Sequence, residues 1–300
     1  MGLASFVYKK IDKISESKKF LFKKHRNKAP HIELVKTGDF LKMSFIGKSQ
    51  SRGFSTAKLI TECLKNIKTE KDFLFRFFIN DKPEDIIAKE DFYYCLKDNQ
   101  KDYLIPDFAF DGWPEAGIVS YEEITNQMLL KGSKDWSNSK AFWIGNKKTN
   151  IIREKLLQIG NDNPDKFLFL DTYVDNFIIH KKDVPYTTLP DHCNYKYLID
   201  VEGNSYSARL KFLFYSRRVI FIQDREWKEY FHDKLIPYKH YIPIKNDLSD
   251  LVTQYEMIES KPDLYYEIVN NAYKFATEEL TYKSAIEFMT MNIINRINNL

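Results

Sequence analysis

Two short stretches hold residues whose types and spacing suit chemistry. The first is Asp81 in Asn80-Asp-Lys-Pro83, directly after the aromatic run Phe73-Leu-Phe-Arg-Phe-Phe-Ile79. Such a run reads as a buried strand, and a carboxylate at a strand's carboxyl end sits where open α/β sheets keep their ligands and proton-transfer groups. A turn-forming aspartate before proline is the competing reading. The second stretch is Glu202-Gly-Asn-Ser-Tyr-Ser-Ala-Arg209. Glycine between a strand end and a helix start lets the backbone approach an anion, and free helix amides favour negative charge there. Ser205 and Ser207 add hydroxyls, and the planar fork of Arg209 can hold two oxygens of a diphosphate. Gly, Asn and Ser also cluster in ordinary loops, so a plain solvated turn stays open as the alternative.

Other chemistries lose support. No Walker loop, GxGxxG, HExxH or GxSxG pattern occurs in the 300 residues, which disfavours the common nucleotide, dinucleotide, zinc-hydrolase and serine-hydrolase folds. An Asp-x-Asp pair that would hold a divalent cation against a diphosphate is also missing, with Asp200-Val-Glu202 the nearest imitation. No metal is expected, and charge on a departing diphosphate falls to Arg, Lys and helix N-termini. Cys63, Cys95 and Cys193 are odd in number, far apart and without a CxxC pair, so neither a disulfide framework nor a zinc site is suggested. His192, His232 and His240 read as surface or structural imidazoles, with His240 the best placed for a cleft because it begins a strand. Trp113, Trp143 and Trp227 read mainly as core, with one ring available to stack on a base or a sugar.

The elements that must position these residues alternate between strand and helix. The pattern predicts a helix over 55–67, the strand 73–79, and a turn-rich connection over 104–114. It then predicts a helix over 121–130, a strand over 141–144 and a helix containing Arg153 and Glu154. A strand over 195–201 gives way to a helix over 206–215, capped by Asn204 or Ser205. A strand over 218–222, a short helix over 226–231, a strand over 240–244 and helices starting near Asp247 and Asp263 follow. This alternation argues for a mostly parallel sheet with helices on both faces.

Composition adds bounds. Hydrophobic residues make up 43%, aromatic residues 15% and charged residues 29%, which excludes a disordered chain and fits one large or two ordinary domains. Between Lys9 and Lys28, nine basic residues face only Asp12 and Glu16, a local +7 within a net charge of +4, so the rest of the chain is at about −3. Phe6, Val7, Ile11, Ile14, Phe20, Leu21 and Phe22 punctuate this arm. Such a segment reads either as an amphipathic helix lying on anionic lipid or as a solvated basic arm. Phe6 stands where a myristoylation signal wants Ser or Thr. No apolar run approaches membrane-spanning length and no signal-peptide core is apparent, so a cytoplasmic protein is expected, peripheral on the inner face of the membrane if the arm binds lipid.

One long run then acquires a likeness. Asp191-His-Cys-Asn-Tyr-Lys-Tyr-Leu-Ile-Asp-Val-Glu-Gly-Asn-Ser-Tyr-Ser-Ala-Arg-Leu-Lys-Phe-Leu-Phe-Tyr215 resembles the signature of glycosyltransferase family 90. The likeness continues in order through Gln223-Asp-Arg-Glu-Trp-Lys-Glu-Tyr-Phe231 and Leu235-Ile-Pro-Tyr-Lys-His-Tyr-Ile-Pro-Ile-Lys-Asn-Asp-Leu-Ser249. Upstream it takes in Leu104-Ile-Pro-Asp-Phe-Ala-Phe110 and the segment from Gly145 to Arg153. It covers the chain from about Phe73 to the C-terminus.

The resemblance implies an α/β fold of the GT-B type, in which two Rossmann-like domains face each other across a cleft. The expected organisation is a basic arm at 1–30, an acceptor-side domain at 31–118 joined by the C-terminal helix at about 285–300, and a nucleotide-sugar-binding domain at 119–284. Asp81 falls at the position of the family's general base. Gly145, Asn146, Lys147, Arg153, Gly203, Tyr206, Ser207, Arg209, Asp224 and Trp227 fall toward the donor, and Asp107 and Trp113 toward the acceptor. The chain departs from the family at Ile144, where Arg is frequent, and at Asn146 and Lys147, which replace Ser and Arg.

The activity implied is inverting, metal-independent transfer of a hexose or xylose from a UDP-sugar to a hydroxyl of a cell-surface glycan, such as a lipid-linked or lipopolysaccharide-core oligosaccharide. UDP-sugar is then a substrate, no cofactor is required, and nucleic acid is not expected as a partner. A membrane-surface or nucleic-acid-binding module would explain the arm but not the ordered motifs. A sugar kinase of envelope synthesis would need metal ligands that the sequence does not offer.

Overall fold

The computed structural model describes residues 29–47, 51–83, 87–97, 100–173 and 186–300. The basic arm therefore lies outside the described residues. The chain folds as two α/β units, each built on one sheet.

The first unit opens with β1 (His31–Thr37) and β2 (Phe40–Ile46), an antiparallel hairpin in register from His31↔Ile46 to Thr37↔Phe40. Gly38, at φ 55°, makes the reversal, a backbone state open to glycine at little steric cost. α1 (Ser51–Leu64) follows, and its buried Thr56, Leu59, Ile60 and Cys63 recur at the three- and four-residue spacing of one helix face. β3 (Phe73–Phe78) pairs antiparallel with β1, and β4 (Asp91–Phe92) pairs parallel with β3, giving the order β2-β1-β3-β4. This sheet is thus mixed, where the Rossmann-like expectation was a parallel one. Single 3₁₀ turns such as Phe108–Phe110 and Pro114–Ala116 carry the connection to the second unit.

The second unit begins with α2 (Tyr121–Gly132), capped by Ser120, and β5 (Asn138–Gly145). Then come α3 (Ile152–Asp162), β6 (Phe167–Asp171), β7 (Tyr195–Asp200), α4 (Leu210–Leu213) and β8 (Val219–Gln223). β9 (Ile242–Ile244), α5 (Leu251–Glu259), α6 (Pro262–Glu279) and α7 (Tyr282–Asn298) complete the chain. All five strands are parallel, in the order β6-β5-β7-β8-β9. The order reverses at β5, because the next strand, β6, lies on one side of it and β7 on the other. Ligands in such sheets lie outside the strands' carboxyl ends at that reversal.

Alternation along the strands sorts the core. Trp143, Tyr197, Ile199 and Phe221 turn to a cluster with Leu156, Leu251 and Ile268 from the flanking helices. Phe142, Leu198, Ile220 and Ile222 turn the other way and join one continuous core with Phe75, Phe77 and Phe92 of the first unit. α7 returns to the first unit as well. Its Asn292 Nδ2 donates to the Lys101 and Leu104 carbonyls at 2.8 and 2.9 Å, and Cys63 Sγ of α1 reaches the Ile286 carbonyl at 3.7 Å. Among the described residues no helix is long and apolar enough to cross a membrane.

Two expected helices are corrected. Residues 206–215 hold one short α-helical turn, α4, and the 3₁₀ turn Phe214–Ser216, and Arg209 rather than Asn204 or Ser205 precedes the helix. The reason is competition, because the side chains of Asn204 and Ser205 bond Asp81 of the first unit instead of helix amides. Residues 226–231 form no helix. Leu96 and Lys228 exchange backbone hydrogen bonds at 3.1 and 2.8 Å there, and helical turns begin only at His232.

Candidate active site

The carboxyl ends of β5 and β7 face Asp81 and the first unit's connecting turns across a cleft of about 1960 Å³. On the second unit's side the cleft is lined by Gly145, Asn146, Lys147, Arg153, Gly203, Tyr206, Ser207 and Arg209. On the first unit's side it is lined by Arg52, Asp81, Phe108, Trp113 and Glu115. One crevice therefore holds Asp81, eight of the ten residues expected near the donor, and Trp113.

The loop after β5 is shaped by its own strand. A Cβ on Gly145 would come within 2.7 Å of Trp143 Cζ2, a ring atom of a fully buried indole two residues back on the same strand face. Lys147 is tied down through its backbone N, 3.1 Å from Asp171 Oδ1, and its Nζ, 2.9 Å from Oδ2. Asn146 accepts from the Lys148 amide at 2.8 Å and so starts a short turn.

The loop after β7 is held from both sides. Asp200, fully buried at the end of β7, receives Ser207 Oγ at 2.6 Å and Arg225 Nη1 at 2.7 Å. Asn150 Nδ2 donates to the Gly203 carbonyl at 2.9 Å. A Cβ on Gly203 would meet the Tyr206 carbonyl at 3.3 Å and Arg153 Nη2 at 3.4 Å, so this turn approaches the guanidinium closely.

Arg153 and Arg209 bind the two loops into one wall. Arg153 Nε donates to the Glu202 carbonyl at 2.9 Å and its Nη1 to the Asn146 carbonyl at 3.0 Å, while Arg209 Nη1 donates to the Ile144 carbonyl at 2.6 Å. Their guanidinium carbons lie 5.4 and 6.0 Å from the Trp143 ring centroid. Burial, and then the charge of Arg209, push the Arg153 pKa down to about 10. Burial lowers that of Arg209 as well, against the pull of Asp200. Two cations held so close below their ordinary range mark a place where an anion would relieve repulsion.

Asp81 is engaged by both units. Arg52 Nη1 of α1 donates to Oδ1, and Asn204 Nδ2 donates to Oδ2 at 2.9 Å. Its carbonyl accepts from Ser205 Oγ and from Cys95 Sγ. The Arg52 guanidinium also covers the Phe108 ring at 4.8 Å, and Phe108 meets Trp113 edge to face at 5.6 Å. A carboxylate beside an aromatic wall can take a proton from a hydroxyl held against that wall.

Three expected site residues lie elsewhere. Asp107 is 1% exposed, accepts from the Ala109 amide at 3.1 Å and from Lys211 Nζ at 3.0 Å, and so holds a buried ion cluster together instead of facing an acceptor. Lys211 also reaches Glu229 Oε1 at 3.1 Å, and burial raises the Glu229 pKa to about 8 against the opposing effect of Lys211. Asp224 is largely exposed and pairs with Lys228 at 3.4 Å. Trp227 lies under Lys97 Nζ, 5.1 Å from its ring centroid, away from the cleft. His240 is also displaced from the cleft, stacked on Phe275 with Nδ1 accepting the Ile236 amide at 3.1 Å.

Three residues that line the cleft, Arg52, Asn204 and His192, and the buried Asp200 that holds Ser207 behind it escaped the sequence reading as site residues. Asn204 and Asp200 sat inside the matched run but were read as a cap and as a false metal motif. Arg52 carried no local signal, because its partner is 29 positions away. His192, read as structural, is 4% exposed and lines the cleft.

Known proteins similar to this chain are glycosyltransferases by name. Protein O-glucosyltransferase 1 of Rattus norvegicus is 31% identical over 181 residues, covering 56% of this chain and 45% of that protein. O-glucosyltransferase rumi of Drosophila melanogaster is 33% identical over 201 residues, covering 61% and 48%. The chain thus spans about half the length of the curated relatives it matches. Among solved structures, TarM is similar with a TM-score of 0.40 at 15% identity, covering 55% of this chain and 36% of that one. The family model for glycosyl transferase family 90 matches residues 9–298, nearly the whole chain, and the protein belongs to that family.

Proposed function

We propose that the chain catalyses inverting, metal-independent transfer of a hexose or xylose from a UDP-sugar to a hydroxyl of a cell-surface glycan, such as a lipid-linked or lipopolysaccharide-core oligosaccharide. The observation that carries this reading is the shared cleft, with Asp81 on one wall and Arg153, Arg209 and Gly203 on the other. Rat and fly relatives named for O-glucosyl transfer support a hexosyl donor and a hydroxyl acceptor.

The chemistry follows from the placement. Inversion is a single in-line displacement, so the proton acceptor stands opposite the departing nucleotide. The acceptor O–H gives its proton to Asp81 as its oxygen bonds the anomeric carbon and the bond from that carbon to the diphosphate oxygen breaks. Arg153 and Arg209 would stabilise the charge that develops on the leaving diphosphate, and Trp113 and Phe108 offer the acceptor sugar an aromatic wall. The basic arm would hold the enzyme on the anionic cytoplasmic face of a membrane.

A paired experiment tests the reading. Asp81→Asn should reduce transfer by about 100-fold or more while leaving UDP affinity nearly intact. Arg209→Ala should weaken UDP binding measured by calorimetry. Full activity of the first variant, or unchanged affinity in the second, removes the corresponding role, and activity lost in EDTA but restored by Mn²⁺ overturns the metal-free step.

A further inference from the structure

His192 and Arg209 each leave one buried atom unmatched in the same wall. His192 Nδ1 lies 2.9 Å from the Thr188 carbonyl. A carbonyl only accepts, so Nδ1 bears the proton and Nε2 presents a bare lone pair. Burial, and then the charge of Arg209, hold the imidazole pKa down to about 3, which keeps the ring neutral. Nε2 is buried and has no partner among the described residues. The same holds for Arg209 Nε, which can only donate.

The two groups pack against nearby residues of β5, and the charge of Arg209 is felt by the His192 ring. The His192 ring meets Phe142 edge to face at 5.1 Å, and Arg209 bonds the carbonyl of Ile144. Phe142 and Ile144 are two residues apart on one strand, a step of about 7 Å. Both His192 and Arg209 line the cleft. An orphaned donor and an orphaned acceptor in one cleft wall stand out in a folded interior, where nearly all buried polar groups are matched.

We propose that His192 Nε2 and Arg209 Nε form a subsite for one hydroxyl group of the nucleotide-sugar donor. A hydroxyl satisfies both atoms at once, since its oxygen accepts from Arg209 Nε and its proton goes to His192 Nε2. A phosphate or carbonyl oxygen would match the guanidinium but repel the imidazole lone pair, and an imino N–H would do the reverse. The subsite rests on the reading of this cleft as a donor site. The hydroxyl belongs either to the ribose or to the transferred sugar, which present the same chemistry.

Calorimetry on the full chain with UDP, 2′-deoxy-UDP, 3′-deoxy-UDP and UDP-glucose separates these sources. His192→Phe should bind the hydroxyl-bearing ligand about tenfold more weakly or worse, because a site built around a substrate hydroxyl suffers when either partner is lost. A ribose source shows this loss with UDP and spares the matching deoxy analogue, whereas a sugar source shows it with UDP-glucose alone. His192→Gln, whose amide oxygen can accept, should keep most of the affinity. Equal affinity of the wild type and His192→Phe for UDP and for UDP-glucose overturns the subsite. If His192→Phe does not fold, the wild type decides, and no discrimination against either deoxy analogue together with no gain from UDP to UDP-glucose overturns it. A wild type that binds neither UDP nor UDP-glucose overturns the donor site itself, which is a different failure.

Discussion

The side-chain amide of Asn204 donates to Asp81 Oδ2 at 2.9 Å, one residue beyond Gly203 and directly before Ser205, which bonds the Asp81 carbonyl. The turn facing the proposed diphosphate position therefore also sets the orientation of the proposed base. Asn204→Ala should lower the rate of transfer by roughly 3- to 10-fold, the effect of one lost hydrogen bond. Asn204→Asp, which sets a second carboxylate beside Asp81, should lower it further. Steady-state kinetics checks both, and an unaltered rate in both variants would show the contact to be incidental.

Gly145→Ala tests how tightly the first loop is packed. The added methyl would press on the buried Trp143 indole at 2.7 Å, and either the ring or the loop must move. Overpacking of this kind costs about 1 to 3 kcal/mol. Thermal melts should show the loss, and UDP affinity should fall as the Asn146 carbonyl that receives Arg153 shifts with the loop. A variant as stable as the wild type would mean that the indole has room to turn.

Lys211→Met separates structure from chemistry. Lys211, Asp107 and Glu229 are at most 2% exposed in their side chains, so removing the ammonium strands two buried carboxyl groups. Breaking a buried pair in this way costs about 3 to 5 kcal/mol. Urea unfolding should report that loss, while the molecules that remain folded keep near-normal turnover, because none of the three lines the cleft. A selective loss of turnover with stability unchanged would return Asp107 to the acceptor side.

His192 gives a pH signature. Its pKa is lowered from 6.5 to about 3, so the unfolded chain takes up a proton that the fold refuses. Stability from this group is complete above pH 6.5 and is lost as pH falls toward 3. Relative to His192→Gln, the wild type should lose about 2 kcal/mol between pH 7.5 and pH 5, from the linkage of one fully buried imidazole. Denaturant unfolding of both proteins at the two pH values measures the difference, and a constant gap would show that the ring takes up its proton alike in the folded and unfolded chains.

The strands around the site were legible because their signals are local. Phe73–Phe78, Tyr195–Asp200 and Val219–Gln223 are short apolar runs bounded by turn residues, and the observed strands differ from the expected ones by one or two positions. The hairpin of β1 and β2 was not resolved into strands, although its alternation around Thr37-Gly-Asp39 is the pattern that announces one. The helix expected over 206–215 dissolved into turns because Asn204 and Ser205 found partners 123 and 124 positions away, which no local propensity registers. Asp107 misled for a related reason. The resemblance set Asp107 toward the acceptor, and only the fold supplies the buried ammonium of Lys211, 104 positions away, that holds it inside.

Phe142, Leu198 and Ile220 of the parallel sheet share one apolar interior with Phe75 and Phe77 of the mixed sheet, and α7 is bonded across the junction through Asn292. Swinging the halves apart like jaws would hydrate those side chains, each at about 1.5 to 3 kcal/mol. The proposed turnover should therefore not depend on wide gaping between the halves. Substrates would enter and leave past side chains and turns at the mouth of the crevice, over a rigid hull that keeps Asp81 and the two arginines at a fixed spacing throughout the proposed cycle.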